Sequence, residues 1–165
     1  MEKTLKKGRP DIAMSSFSFL FAEMLNYFHS RASSSDELEG RLQAAGERLG
    51  LKVLELMTYR EKANRKDTLE SFLSFISNNV WRMLFGRPAD GLQRIPADNS
   101  YMILESVPIT NRYIEAGQLN PATFITGIII GMLRAAGFNN PVETHVWKKD
   151  ESTNETTNVY LVKSK

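Results

Sequence analysis

Only a few residues of this 165-residue chain are of a type and spacing to do chemistry, and they do not converge. His29 and His145 fall in different elements, and neither has a carboxylate at metal-ligand spacing. The sequence places His29 at the end of a helix, where a cation suits the dipole, and His145 on a strand face in VETHVW. The acid pairs Asp36/Glu37 and Asp150/Glu151 read as cap and loop residues, with nothing apolar beside them to raise a pKa for proton transfer. There are no cysteines, so disulfides, thiolate metal sites and cysteine nucleophiles are excluded. No GxGxxG, phosphate-binding loop or GxSxG motif occurs. The residues argue against an enzyme and call for neither metal nor cofactor.

Composition narrows the alternatives. With 42% hydrophobic and 24% charged residues the chain has ordinary globular proportions and suits one domain with a core. The 21 basic and 19 acidic side chains nearly balance, so no electrostatic case exists for nucleic acid as the main partner. Residues 1–10 are basic and have no apolar run behind them, the pattern of a flexible segment and not a signal peptide. The sequon Asn154-Glu155-Thr156 is expected to be a polar loop. The expectation is a soluble cytosolic protein.

The elements that must carry these residues divide into halves. From Asp11 to Arg31, Phe17, Leu20, Phe21, Met24 and Phe28 recur at helical spacing. With Phe19 and Tyr27, aromatics surround that helix, so its own domain cannot bury every side, and a second subunit is expected to cover part of it. Ser34 and Glu37 form a capping box for a second helix bearing Leu38, Leu42, Ala45, Leu49, Val53, Leu54 and Met57. Gly46 and Gly50 either kink that helix or divide it. The basic cluster Arg60, Lys62, Arg65 and Lys66 reads as a solvated connection or as a contact surface for an acidic partner or anionic membrane. A third helix, with Asp67 and Glu70 as its box, runs to Leu84 and stops at Gly86 and Pro88. The second half holds short strands at Tyr101–Glu105, Val142–Trp147 and Val159–Val162, the last two forming a hairpin. The fold class is therefore α+β: amphipathic helices on a small antiparallel sheet, in one domain.

One further helix, FITGIIIGMLRAAGF, is apolar enough to raise the question of a membrane. From Pro121 to Arg134 it spans about 20 Å, short of the about 30 Å a bilayer core requires. Asn120, Pro121 and Gly137 are its start and stop signals. Ile125, Ile128, Ile129 and Met132 form a core stripe, and Gly127, Gly131 and Ala135 a seam that admits a close backbone. Ile130 falls off the stripe, and a neighbour is expected to cover it.

Read together, the segments SSFSFLFAEMLNYFHSR, ELEGRLQAAGERLGLKVLEL, YREKANRKDT, VWRMLFGRPADGL, YMILESVPITNRYI and NPATFITGIIIGMLRAAGF resemble the small subunits of the transport protein particle (TRAPP) family, most of all its subunit-5 branch. The resemblance runs from about Gly8 to Val162. It implies about four antiparallel strands under several helices and heterodimers with related small subunits through the first two helices. The interface residues so implied are Phe17, Leu20, Phe21, Met24, Tyr27, Phe28, Leu38, Leu42, Leu49 and Val53. It further implies an architectural role in a vesicle tether of ER-to-Golgi transport, peripheral at cis-Golgi and endoplasmic reticulum membranes, whose assembled form is a nucleotide-exchange factor for a Rab-family GTPase. Ile130 departs from the pattern, replacing a usual glutamate. A second reading treats the space between helices and sheet as a cavity for an acyl chain or another small apolar ligand.

Overall fold

A computed structural model describes residues 13–61, 66–106, 108–111, 120–148 and 156–164. Helix α1 covers Met14–His29 and α2 Ser35–Glu61. The next helical run comprises α3, Leu69–Phe75, a π-helical segment Ile76–Val80, and α4, Trp81–Phe85. Strands β1, Gly91–Ile95, and β2, Ser100–Glu105, lead through a 3₁₀ turn at Ile109–Asn111 to α5, Thr123–Ala135. Strands β3, Val142–Lys148, and β4, Thr156–Val162, complete one antiparallel sheet in the order β1-β2-β4-β3.

The helix ends follow from local chemistry. The Ser34 hydroxyl accepts the Glu37 N–H at 3.2 Å, while the Glu37 carboxylate reaches back to the Ser33 N–H at 2.8 Å. The start of α3 differs by one residue from the expected box. Thr68, in extended backbone, is the cap, and its hydroxyl accepts from the Ser71 N–H. A threonine hydroxyl in that position satisfies an orphan amide of the first turn directly. Helix α5 ends in a Schellman motif: Phe138 N–H bonds Leu133 C=O, Gly137 N–H bonds Arg134 C=O, and Gly137 holds φ at +89°.

Gly46 and Gly50 neither kink nor divide α2, which runs unbroken for 27 residues. They face α5. A Cβ added to Gly46 would fall within 3.0 Å of the Phe124 carbonyl oxygen, and one on Gly50 would strike the Ile128 carbonyl. From the other side, Gly127 and Gly131 lie equally close to the carbonyls of Gln43 and Glu47. Four glycines thus let two parallel helices touch backbone to backbone. Glu39, accepting from the Asn120 N–H, and Glu47, paired with Arg134, fix the two ends of the seam.

The sheet lies against the other side of α5. Tyr101 and Ile103 of β2 and Tyr160 and Val162 of β4 point inward and join Leu42, Leu73, Ile76, Trp81, Ile125, Ile129, Met132 and Leu133 in one core. Thr126 and Thr144 share a hydrogen bond between α5 and β3. Every residue from Phe124 to Leu133 is buried. This corrects the expectation for Ile130, which is 8% exposed and covered by its own chain. A helix held between a second helix and a sheet is apolar on nearly all sides, so the single-stripe reading of one face left Ile130 out wrongly. Among the described residues no helix is long and apolar enough to cross a membrane.

Candidate docking surface on the first two helices

Helix α1 turns Phe17, Phe21, Met24 and Phe28 toward the core, with Phe17 and Phe21 stacked at 5.6 Å and Phe21 against Phe124 at 5.4 Å. Leu25 also packs on the core, while Phe19, Leu20 and Tyr27 face out. Phe19 is 78% exposed, Leu20 73% and Tyr27 52%. The guanidinium of Arg31 sits 3.9 Å above the Tyr27 ring, an arrangement that shields little of Leu20 or Phe19. On α2, Leu49, Leu56 and Tyr59 are also exposed, at spacings of seven and three residues that put them along one flank.

Of the ten expected interface residues, four belong to the chain's own interior. Phe21, Leu38, Leu42 and Val53 are each 7% exposed or less and have no surface to offer a second subunit. Phe17, Met24 and Phe28 are half-buried, packed on the core with one edge free. Leu20, Tyr27 and Leu49 are open. Helical spacing finds apolar faces, but it cannot say which face the domain covers itself; the side of α1 toward Phe124 was settled by tertiary packing. Leu56 and Tyr59 were missed, although they continue the spacing of Leu49 on the outer flank. Of the basic cluster, Arg60 is exposed at the end of α2 and Lys66 is half-buried, while Lys62 and Arg65 lie outside the described residues.

Two grooves adjoin this region. One, of about 330 Å³, runs between α1 and the 3₁₀ turn, lined by Phe17, Phe19, Phe21, Ala22, Ile109 and Thr110. The other, of about 450 Å³, lies over Ile130 between Gln43, Arg134 and the Asn139–Val142 stretch, and is more polar. Among the described residues no three histidine, aspartate or glutamate side chains stand close enough to hold a metal. His145 Nε2 lies 3.6 Å from Glu143 Oε2, a surface pair on β3 with both side chains about half exposed. The arrangement suits burial against another apolar surface.

Comparison with known proteins gives three results. Residues 17–163 match the family model described as "Transport protein particle (TRAPP) component". The chain is 40% identical over 151 residues to trafficking protein particle complex subunit 5 of Dictyostelium discoideum, covering 88% of this chain and 81% of that protein. It is 36% identical over 155 residues to the human subunit 5, covering 90% and 82%. Among solved structures, trafficking protein particle complex subunit 3 from Naegleria fowleri, covalently bound to palmitic acid, superposes with a TM-score of 0.72. That match covers 92% of this chain and 95% of the other, at 14% identity, and so speaks to the fold.

Proposed function

We infer, from the premise that this chain belongs to the TRAPP component family, that it is an architectural subunit which works by docking onto related subunits. The observation carrying this reading is the outward apolar surface of α1, with Phe19 and Leu20 more than 70% exposed on a helix whose opposite side is already buried. An exposed leucine or phenylalanine forgoes about 1.5–3 kcal/mol of burial, and contiguous patches of them mark interfaces. Leu49, Leu56 and Tyr59 on α2 extend the available surface. The partner is a related small subunit that presents its own first helices. Through the assembly the chain contributes to a vesicle tether of ER-to-Golgi transport and to nucleotide exchange on a Rab-family GTPase, with exchange residing in the complex and no bond-making step in this subunit. The assembly, not this chain alone, brings it to Golgi and endoplasmic reticulum membranes. Arg60 and Lys66 are the described cations of a charged surface that would select neighbours or face an anionic membrane.

The test is affinity capture of the tagged full chain from native extract, followed by mass spectrometry. TRAPP subunits should be recovered in fixed proportion with the wild type and lost with Phe19→Asp/Leu20→Asp. Recovery of a stable monomer with no such partners overturns the reading. An acyl-chain module is a weaker alternative, resting on the apolar groove beside α1. The chain has no cysteine to form a thioester, so any such ligand would be held without a covalent bond.

A further inference from the structure

Glu23 is the only carboxylate of α1, and the helix holds no lysine or arginine. The residue is exposed and stands in the middle of the outward apolar face. Phe19 and Tyr27 lie four residues before and after it and Leu20 three before, so these exposed side chains border it on one side of the helix. A glutamate on a solvent-facing helix is ordinary, but this one does nothing for its own fold. It lies past the first turn, where a carboxylate would complement the helix dipole. The positions three and four residues away are Leu20, Asn26, Phe19 and Tyr27, so no cation is placed to pair with it along the helix. Among the described residues no hydrogen bond or ion pair engages it. Arg31, the first arginine beyond α1, is held over the Tyr27 ring at 3.9 Å and donates to Ser30 Oγ at 3.3 Å.

Docking changes the surroundings of this group. Any surface that covers Phe19, Leu20 and Tyr27 together also takes Glu23 out of water. A carboxylate enclosed among apolar side chains is strongly unfavourable unless a cation and hydrogen-bond donors meet it. A second copy of this chain, laying its own α1 on this one, would bring carboxylate against carboxylate and supply no cation from either helix. The complement is therefore a different sequence, one with a basic residue where this chain has an acid.

We propose that Glu23 selects the partner of this face, accepting a lysine or arginine that the partner's docking helix carries among its apolar side chains. The inference rests on the docking reading and adds to it the residue that decides which related subunit fits. Phe19 and Leu20 supply burial without direction and would accept many apolar surfaces. A carboxylate set among them rejects every partner whose opposed position is apolar or acidic, because the charge is then buried unpaired. An arginine in that position would meet both carboxylate oxygens at once.

The test titrates the purified full chain with the subunit recovered by affinity capture, comparing wild type, Glu23→Gln, Glu23→Lys and Phe19→Asp/Leu20→Asp. Both Glu23 variants should keep the thermal midpoint of the wild-type chain, since Glu23 makes no contact within it. Both should weaken association by about 30-fold or more, Glu23→Lys the further of the two. Reversing the partner's lysines and arginines to glutamate one at a time should restore binding to Glu23→Lys at a single position, which a merely structural role for Glu23 would not produce. Wild-type affinity in Glu23→Lys, with Phe19→Asp/Leu20→Asp inactive, overturns the selector and leaves docking standing. A loss in Glu23→Lys that no reversal on the partner restores overturns it equally. Undiminished binding by Phe19→Asp/Leu20→Asp overturns the docking reading itself, and the selector with it.

Discussion

Gly46 of α2 and Phe124 of α5 meet through main chain alone, the glycine carrying no atom where a Cβ would stand within 3.0 Å of the phenylalanine carbonyl. Gly127 and Gln43 repeat the contact in the opposite sense. No side chain mediates this part of the core, so it has no rotamer with which to absorb a change.

Gly46→Ala or Gly127→Ala should therefore destabilise the fold despite alanine's better helix propensity. The added methyl group forces the helices apart, an overpacking cost of about 1–3 kcal/mol. Gly40→Ala, in the same helix with nothing within 4 Å, should stabilise by about 0.5–1 kcal/mol. Urea unfolding of the three variants checks the contrast, and equal effects at Gly40 and Gly46 would refute it.

The two classes of apolar residue on the first helices should separate cleanly. Leu42→Ala removes a fully buried side chain and should cost about 2–5 kcal/mol. Leu20→Asp, at a site 73% exposed, should change the stability of the isolated chain by no more than about 0.5 kcal/mol. Thermal unfolding measures the first effect, and titration with purified partner subunits should show that Leu20→Asp acts on association instead.

Ile130 is expected to behave as interior. Ile130→Ala should lower stability by about 2 kcal/mol, with partner capture from extract unchanged. Ile130→Glu sets a carboxylate beside Arg134, already paired with Glu47, so a second carboxylate has a cation to share but loses the apolar burial. Its stability should fall below that of Ile130→Ala at low salt and further at high salt, as screening weakens the pairing.

Asp90 supplies an acid-side dependence. Burial by itself would raise its pKa, but the Ser106 N–H and then Arg87 outweigh burial and hold the carboxyl below its usual range. A lowered folded-state pKa gives stability that is present above the unfolded aspartate value and lost as pH falls through the folded one. Asp90→Asn should cost about 1 kcal/mol at pH 7, given that about a third of the side chain is exposed, and its deficit should vanish in acid. Denaturant midpoints across that range would show it.

Much of the architecture was legible because it rests on short-range chemistry. The serine–glutamate cap, the stop at Gly137 and the β-branched runs of β2, β3 and β4 each follow from a few neighbouring residues. Strand β1 was not legible from local pattern: GLQRI has one glycine, two polar residues and no clear alternation, and it becomes a strand because β2 offers it an edge. Continuity of α2 through Gly46 and Gly50 also depended on a distant partner. The candidate surface was half legible. Leu20, Tyr27 and Leu49, which the family resemblance implied for an interface, are open, but neither the resemblance nor the apolar spacing could remove Phe21, Leu38, Leu42 and Val53, because burial by α5 and the sheet leaves no local mark.

The glycine seam also sets the order in which the protein can be made. Its flanking contacts, Glu39 with Asn120 and Glu47 with Arg134, join residues 81 and 87 positions apart. On the ribosome α2 emerges first, weakened by Gly46 and Gly50 at about 1 kcal/mol each, and its complementary backbone follows only after the first hairpin of the sheet has been synthesised. Until α5 is released from the exit tunnel, the grooved side of α2 stays open. The nascent chain passes through a long interval in which its most closely packed surface is also its least protected one.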